Sequence, residues 1–201
     1  MSNEAITLIE PILSLKDDFH FLAEEYLAEG DQRYQEAIRD FEGFIQLCSD
    51  EAVGRNLEPG RVPQSTFWLV RNEQRILGCS RLRHILNAFL EEVGGHIGYD
   101  VRPSERRRGY GTQILRMTLD KARDLGLKRV LVTADSPNVA SWRIIENNGG
   151  ILHGEKLSQA YGPTAAQILD RAVGGRPPPE QFIRDDIVLG LREDWVVVSK
   201  S

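Results

Sequence analysis

The chain has 201 residues and a formal net charge of −5. This length suits one sizeable hydrophobic core and is short for two, so we expect a single domain over residues 1–201. The acidic balance argues against a general nucleic-acid binder, and no apolar run approaches the roughly 18 to 20 residues that cross a bilayer. Because residues 1–4 also lack the basic start of a secretion signal, we expect a cytoplasmic protein with no nucleic-acid partner and no membrane partner.

The N-terminal part of the chain predicts one strand followed by two helices. Residues 5–10 predict the strand, and Ser14-x-x-Asp17 predicts a capping box ahead of a helix that ends at Gly30. A second amphipathic helix and a loop over residues 54–64 follow. The apolar face of the first helix comprises Leu15, Phe19, Leu22 and Tyr26, and that of the second comprises Tyr34, Ile38, Phe41 and Ile45.

The middle of the chain predicts a sheet and a long helix. Residues 66–70 and 76–82 read as two antiparallel strands, and residues 96–102 as the next strand. An amphipathic helix over residues 109–125 then leads to a buried strand over residues 129–133. Because these last three elements form a βαβ unit, their two strands are expected to be parallel neighbours. The inward face of the helix comprises Leu115, Thr118, Ala122 and Leu125.

The C-terminal part gives weaker signals. Residues 138–148 predict a helix, and a strand starts within residues 150–155. Beyond it, residues 163–172 suggest a short helix, residues 174–179 a loop and residues 187–198 one or two strands. The two cysteines, Cys48 in a predicted helix and Cys79 in a predicted strand, are expected to be small core residues rather than a disulfide or a metal pair.

The segment Arg106-Arg107-Arg108-Gly109-Tyr110-Gly111-Thr112 joins a predicted strand to the long helix. The first N–H groups of a helix have no partner inside it, and the helix dipole adds partial positive charge at the same end. The two glycines allow a sharp turn and a close approach, and three arginines raise the local positive potential. The sequence therefore predicts that the amides of residues 107–112 bind an anion, most simply a pyrophosphate.

The spacing Arg106-x-x-Gly109-x-Gly111, preceded by Val101-x-Pro103, resembles the coenzyme A pyrophosphate loop of the GNAT acetyltransferase superfamily. The later Asn138-x-x-Ser141 also resembles that superfamily, and residues 94–99 and 145–150 look like a bacterial subgroup of predicted acetyltransferases. The resemblance covers about residues 66–155 and leaves a divergent tail over residues 156–201. It implies an α/β fold: a mixed, mostly antiparallel central sheet with a parallel splayed strand pair and helices on both faces.

The same resemblance implies acetyl coenzyme A as cosubstrate, with no metal. Main-chain groups near Tyr99 and Val101 would bind the pantetheine arm, and one N–H would polarise the thioester carbonyl. Asn138, which is also a candidate helix N-cap, would contact the arm, and Ser141 would lie near the phosphates. The full set of implied cofactor residues is Tyr99, Val101, Arg106, Arg107, Arg108, Gly109, Tyr110, Gly111, Thr112, Asn138 and Ser141.

Direct attack of an amine in a ternary complex is the reaction that the resemblance implies, with no covalent enzyme intermediate. The family's usual tyrosine acid is replaced by Ile145, and Tyr161 in the tail is a candidate substitute. Because an alkylammonium must lose a proton before it attacks, a base is needed: Asp100 and His96, on one face of a strand, are the candidates. A structural or solvated role is open for each. Other residues with an open choice between function and packing or solubility are His84, Glu91, Glu92, Trp142 and Trp195.

Two other functions stay open at this stage. A non-catalytic acyl coenzyme A sensor would explain the missing tyrosine and the unusual tail, and an RNA-binding arginine patch is opposed by the acidic balance. The acceptor is expected to be a small-molecule or peptide amine, chosen by residues 54–64, residues 85–95 and the tail. A homodimer stays open as an oligomeric state.

Overall fold

The computed structural model describes residues 4–92, 94–135, 138–158 and 182–190. These residues form a mixed α/β structure. Its strands are β1 Ile6–Ile9, β2 Gln64–Arg71, β3 Arg75–Arg83, β4 Ile97–Val101, β5 Arg129–Asp135, β6 Ile151–Ser158 and β7 Phe182–Gly190. Its helices are α1 Lys16–Ala28, α2 Gln35–Arg39, α3 Phe41–Ala52, α4 Ala88–Glu92, α5 Tyr110–Asp124 and α6 Val139–Asn147.

The strands form two antiparallel sheets that part between β4 and β5. One sheet has the order β1-β2-β3-β4 and the other has the order β5-β7-β6. The two sheets touch where the His96 amide donates to the Leu131 carbonyl at 2.7 Å and the Leu131 amide donates to His96 Nδ1 at 3.0 Å. The prediction that β4 and β5 pair as neighbours therefore holds only at this point, and the splay implied by the resemblance is confirmed beyond it.

Helices cover both faces of the first sheet, because β2 is apolar on both sides. Trp68 faces α1 and α3, where it stacks on Phe19 with ring centroids 5.1 Å apart. Phe67 and Leu69 face the opposite side, where the buried apolar residues include Leu115 and Ile114 of α5. Strand alternation thus separates two core layers. The layer under α1 to α3 is rich in aromatic rings, and the layer under α5 is mostly aliphatic.

The first two helix predictions are partly confirmed. The predicted apolar stripe of α1 is buried, but the capping box at Ser14 is wrong, because a 3-10 turn over Leu13–Leu15 precedes α1 and its N-cap is Leu15. The predicted second helix is broken at Asp40, whose carboxylate accepts the Gly43 amide at 2.9 Å and starts α3 anew. An Asp side chain competes for backbone N–H groups in this way, which interrupts an otherwise helical apolar period.

Helix α5 matches its prediction except at its end. Leu115, Thr118 and Ala122 are buried, and the Thr118 hydroxyl lies 2.7 Å from that of Ser80 on β3. Leu125 was expected inside and is 47% exposed, because the helix ends at Asp124 and the chain turns at Gly126 with φ +79°. The helix starts at Tyr110, one residue after the predicted start, and Gly109 is its N-cap.

In the tail, β7 starts at Phe182 rather than at residue 187 and lies between β5 and β6. The helix predicted over residues 163–172, the loop over 174–179 and the segment beyond residue 190 lie outside the described residues. Cys48 and Cys79 are buried thiols, which confirms their core role, and burial raises the pKa of Cys48 to about 12. Within the described ranges, no helix combines the length and apolar character of a bilayer span.

Candidate active site

The turn between β4 and α5 presents backbone amides to solvent. Arg107 has φ +61°, and Gly109, the N-cap of α5, has φ +84°. A Cβ on Gly109 would meet no atom within 4 Å, so this glycine is required by its backbone conformation and leaves open space above it. In the described part of the chain, the amides of residues 107–112 have no acceptor. The predicted anion-binding groups are therefore not occupied by neighbouring protein atoms.

Gly111 has a different reason to be glycine. A Cβ there would lie 2.5 Å from Cδ1 of Ile144 on α6. Close approach of phosphate oxygens was expected at both glycines, and for Gly111 the structure shows helix packing instead. Its side-chain face is buried against α6, while its amide belongs to the open first turn of α5.

The three arginines of the turn have different surroundings. Arg106 pairs with Glu29 at 2.9 Å and donates through Nε to the Val101 carbonyl at 3.3 Å. Arg108 pairs with Glu105 at 3.1 Å. Arg107 is exposed and has no side-chain partner among the described residues. Of the three guanidinium groups, that of Arg107 is thus available to an incoming phosphate without breaking an ion pair.

Buried ion pairs hold the turn from below. Arg102 is 1% exposed and pairs with Asp18 at 3.0 Å and Glu25 at 2.6 Å, both on α1. Burial raises the pKa of Glu25, but the Ser104 amide and Arg102 more than offset this and hold it below its usual range. The sequence analysis missed Arg102. The signal for it is Asp18 and Glu25, which lie seven positions apart on one side of a helix.

Glu105 forms the second anchor of the turn. Its carboxylate is 4% exposed and contacts Arg71 at 3.3 Å and Arg75 at 3.5 Å as well as Arg108. Arg71 also donates to the Tyr110 hydroxyl at 3.5 Å. The turn that carries the open amides is therefore tied to β2, β3 and α5 through one buried carboxylate.

The edge of β4 that faces away from β3 is open beside this turn. The His96 carbonyl and the Arg102 amide bond toward β3, so the alternation of an antiparallel ladder directs the amides of Tyr99 and Val101 toward the splay. Neither amide has a partner among the described residues. The Val101 carbonyl accepts the Tyr26 hydroxyl at 2.8 Å.

The beginning of α6 lies near the same edge. The Tyr99 hydroxyl is 3.5 Å from the Ser141 carbonyl, and burial raises the pKa of Tyr99 to about 12. Asn138 caps α6 by accepting the Ser141 amide at 3.1 Å, so the N-cap alternative is confirmed. Thr112, the last residue of the predicted loop set, accepts the Asn148 side chain through its carbonyl at 3.2 Å.

Asp100 is a buried carboxylate on the α1 side of the sheet. Tyr26 donates to it at 3.0 Å, and Tyr34 lies 2.8 Å from each of its oxygens. Arg81 at 3.3 Å and Arg33 at 3.5 Å compensate its charge. Burial and the negative charge of Asp100 raise the pKa of Tyr34, so its hydroxyl keeps its proton at neutral pH. The sequence predicted only that Asp100 shares a face of the strand with His96, and these partners of Asp100 were not predicted.

The other candidate bases and acids are less favourably placed. His96 uses its Nδ1 lone pair to accept the Leu131 amide, and burial together with Arg83 lowers its pKa to about 4. This geometry makes His96 a link between the sheets and argues against it as a base. Ile145 is fully buried in the core under α5, with Trp142 packed against it. Tyr161 and Trp195 lie outside the described residues, as does the side chain of Glu92.

The surroundings of Glu91 and His84 bear on the roles that the sequence left open for them. Glu91 is exposed on α4, which fits the solvated alternative. His84 Nε2 lies 2.9 Å from the Ser65 hydroxyl, and burial lowers its pKa. Neither residue lines the cavity described next.

A cavity of about 370 Å³ lies between α2, α3 and the strands β2 and β3. Its wall includes Arg33, Tyr34, Glu51, Arg61 and Arg81. Asp100 is not part of this wall and reaches it through Tyr34 and Arg81. Such a volume is typical of sites for small molecules.

Gly98 on β4 leaves open space on the side of the sheet that Asp100 faces. It lies opposite Arg81 in the β3–β4 ladder, and alternation places it on the face of Asp100. A Cβ on Gly98 would meet no atom within 4 Å. The free edge of β4 and the open space at Gly98 thus lie along one strand that ends at the turn with the open amides, and Arg81, opposite Gly98, lines the cavity.

Comparison with known proteins identifies the family. The profile of the acetyltransferase (GNAT) family matches residues 19–149, and the chain belongs to this family. Comparison with curated protein sequences returns no match. Enzymes of this family use acetyl coenzyme A as cosubstrate, and the unoccupied amides and open edge described above fit that molecule.

Solved structures with the same fold include three ligand complexes. The microcin C7 self-immunity acetyltransferase MccE, solved with acetyl coenzyme A and AMP, has a TM-score of 0.65 at 15% identity, with 94% of each chain covered. YncA, a putative acetyltransferase from Salmonella typhimurium solved with acetyl coenzyme A, has a TM-score of 0.58 at 15% identity, with coverage of 96% of this chain and 98% of that chain. Spermidine N-acetyltransferase from Vibrio cholerae, solved with coenzyme A and spermine, has a TM-score of 0.58 at 13% identity, with coverage of 92% and 95%.

Among the described residues, no group of His, Cys, Asp and Glu side chains could hold a metal ion.

Proposed function

We propose that the protein transfers an acetyl group from acetyl coenzyme A to an amine by direct attack in a ternary complex. The observation that carries this proposal is the row of unoccupied amides at residues 107–112 beside the unpaired edge of β4. A helix start with open N–H groups binds a pyrophosphate, and a free strand edge binds an amide-containing arm. Both features meet at one end of α5, as the cosubstrate requires.

The cofactor contacts follow from this arrangement. The amides of residues 107–112, including those of Arg108, Gly109, Tyr110 and Gly111, bind the pyrophosphate, and the guanidinium of Arg107 adds a charged contact. Arg106 and Arg108 position the turn through Glu29 and Glu105. Main-chain groups of Tyr99 and Val101 bind the arm, and the start of α6, at Asn138 and Ser141, closes the other side of the cleft.

One backbone N–H on β4, at Tyr99 or Val101, polarises the thioester carbonyl. As the amine attacks, the carbonyl oxygen gains negative charge, and a donor aimed at it typically lowers the barrier by about 3 kcal/mol. This attack forms the new C–N bond, and the C–S bond then breaks as the carbonyl double bond re-forms. The thiolate leaves without a dedicated acid, because a thiol of pKa about 8.5 is a tolerable leaving group near neutral pH.

Asp100 accepts the proton of the amine through Tyr34. The Tyr34 hydroxyl lines the cavity and donates to Asp100, so it can take a proton from the amine while passing its own to the carboxylate. Tyr34 thereby stays neutral, which agrees with its raised pKa. The cavity between α2, α3 and the sheet holds the acceptor.

We also propose that the tail belongs to the same domain. Strand β7, which follows the matched family region, pairs with both β5 and β6. A separate tail domain would instead build its own sheet. The single-domain organisation expected from chain length is thus supported by the register of this strand.

A thiol-release assay with acetyl coenzyme A and a broad amine panel tests the proposal. We expect acceptor-dependent release of one thiol per acetylated amine.

The second candidate is a non-catalytic acyl coenzyme A binder, favoured by the burial of Ile145 at the position of the usual acid. Thermal stabilisation by acetyl coenzyme A without thiol release from any acceptor would select that alternative.

A further inference from the structure

Arg83 is a buried cation without a described carboxylate partner. It is 5% exposed, and its Nη1 donates to the carbonyls of Gly94 at 3.2 Å and Gly95 at 2.8 Å. Burial and the positive charges of Arg81 and Arg61, partly offset by the negative charge of Glu51, lower its pKa to about 10, so it stays charged at neutral pH. The two carbonyl groups accept hydrogen bonds from Nη1 but bring no full negative charge. A buried charge in this state favours an anion that approaches it.

Arg83 lies in a small recess that adjoins the cavity of about 370 Å³. The recess is lined by Arg83 together with Glu51, Arg61 and Gln64, and these last three residues also line the cavity. Arg81, two positions earlier on β3, lines the cavity itself. On the sheet side, Arg61 and Arg81 thus line the cavity, and Arg83 lines the recess beside it.

The carboxylates in this region are already engaged. Glu51 accepts Arg61 at 2.9 Å and Gln64 at 3.2 Å, and Asp100 compensates Arg81 and Arg33. Two further acidic residues of the wall, Glu36 and Asp40, are exposed at α2 and the start of α3, where water screens them. The sheet side of the cavity therefore carries the unbalanced positive charge.

We propose that the acceptor is an amine that also bears an oxyanion, a carboxylate or a phosphate, and that Arg61 and Arg83 bind this oxyanion. Planar guanidinium groups pair with both kinds of oxyanion through two parallel hydrogen bonds. The amine then lies toward Tyr34 and Gly98, and the cavity volume of about 370 Å³ suits a small molecule. This inference rests on the proposed acetyl transfer, because it names the second substrate of that reaction.

Matched acceptor pairs test the inference. Each pair has one amine with and without the oxyanion: an amino acid against its methyl ester, and O-phosphoethanolamine against ethanolamine. We expect kcat/KM to be at least about tenfold higher for the anionic member, the value of one charge-assisted hydrogen bond. The amino-acid and phosphate pairs also show which oxyanion the cavity prefers.

Variants of Arg61 and Arg83 test whether these arginines cause the preference for the anionic acceptor. Arg83→Gln and Arg61→Gln should each bring the ratio within a pair close to one, mainly through KM of the anionic acceptor. Arg61 has 22% of its side chain exposed and offers a variant that folds even if Arg83→Gln does not. Arg116→Gln, on the exposed face of α5, is the matched control and should leave the ratio unchanged.

A binding measurement separates this inference from the proposed function. With coenzyme A saturating the turn at Gly109, inorganic phosphate should raise Tm in the parent and in Arg116→Gln but not in Arg61→Gln. Equal rates within both pairs, or a ratio that Arg61→Gln does not change, would overturn the inference and leave acetyl transfer standing. Absence of thiol release from every acceptor would overturn the proposed function, and a phosphate effect lost in Arg61→Gln would still support an anion site.

Discussion

The hydroxyl of Tyr34 lies 2.8 Å from each carboxylate oxygen of Asp100, and the same tyrosine lines the cavity that Asp100 does not reach. Tyr26 donates to the same carboxylate at 3.0 Å but is not part of the cavity wall. Both tyrosines therefore contact Asp100, but of the two only Tyr34 can contact an acceptor in the cavity. Comparing variants of the two tyrosines thus separates a catalytic role of Tyr34 from a structural role that both share.

Replacing Tyr34 with Phe should lower kcat about a hundredfold, because a positioned proton-transfer group typically contributes that much or more. KM for acetyl coenzyme A should be unchanged. Tyr26→Phe is the control: it removes the hydroxyl that contacts the same carboxylate and the Val101 carbonyl, costs about 1.5 to 3 kcal/mol of unfolding free energy, and keeps most of kcat. Steady-state kinetics measures kcat and KM of both variants, and thermal unfolding measures their loss of stability. Equal losses of kcat would contradict the Tyr34 relay.

Replacing Gly109 with Ala should weaken acetyl coenzyme A binding at least tenfold, since φ +84° is strained for any residue with a Cβ and the turn would shift. Gly126→Ala is the matched control. Gly126 has φ +79° at the other end of α5, and a Cβ there also meets no atom within 4 Å. Both variants should lose about 1 to 2 kcal/mol of stability. Titration calorimetry with acetyl coenzyme A should show the affinity loss in Gly109→Ala alone.

Replacing Gly98 with Leu should block the acceptor without harming the fold. The space beside Gly98 is open, so thermal stability should change little, and Leu is compatible with a strand. We expect acetyl coenzyme A still to stabilise the protein while turnover with every acceptor falls at least tenfold. The series Gly98→Ala, Val and Leu should show a progressive loss. Full activity of the Leu variant would place the acceptor elsewhere.

Acid should destabilise the protein partly through His96. Its pKa is about 4 in the folded protein and near 6.5 in the unfolded chain, so the unfolded state binds more protons between these values. Stability is therefore complete above about pH 6.5 and falls as the pH drops toward 4. His96→Asn, whose side-chain oxygen can still accept the Leu131 amide, should flatten this part of the curve. Chemical unfolding at several pH values gives the comparison.

Local patterns predicted those features that depend on neighbouring residues. The amphipathic period predicted α5, and the glycine loop predicted its start at Gly109. The supports of the turn were missed because their partners are distant: Arg102 and Asp18 are separated by 84 positions and Arg102 and Glu25 by 77. The break at Asp40 was missed for the opposite reason, because a cap formed over three residues interrupted a longer apolar period.

The position of β7 has a consequence for the way in which the chain is made. Strands β5 and β6 are close in sequence, yet each pairs with β7, which emerges from the ribosome later than both. Until then their edges stay unsatisfied and open to other extended chains. Folding of the sheet formed by β5, β6 and β7 is expected to be post-translational and slow. A stop codon between residues 158 and 182 should yield an aggregation-prone product, even though such a product contains all of the family-matched region.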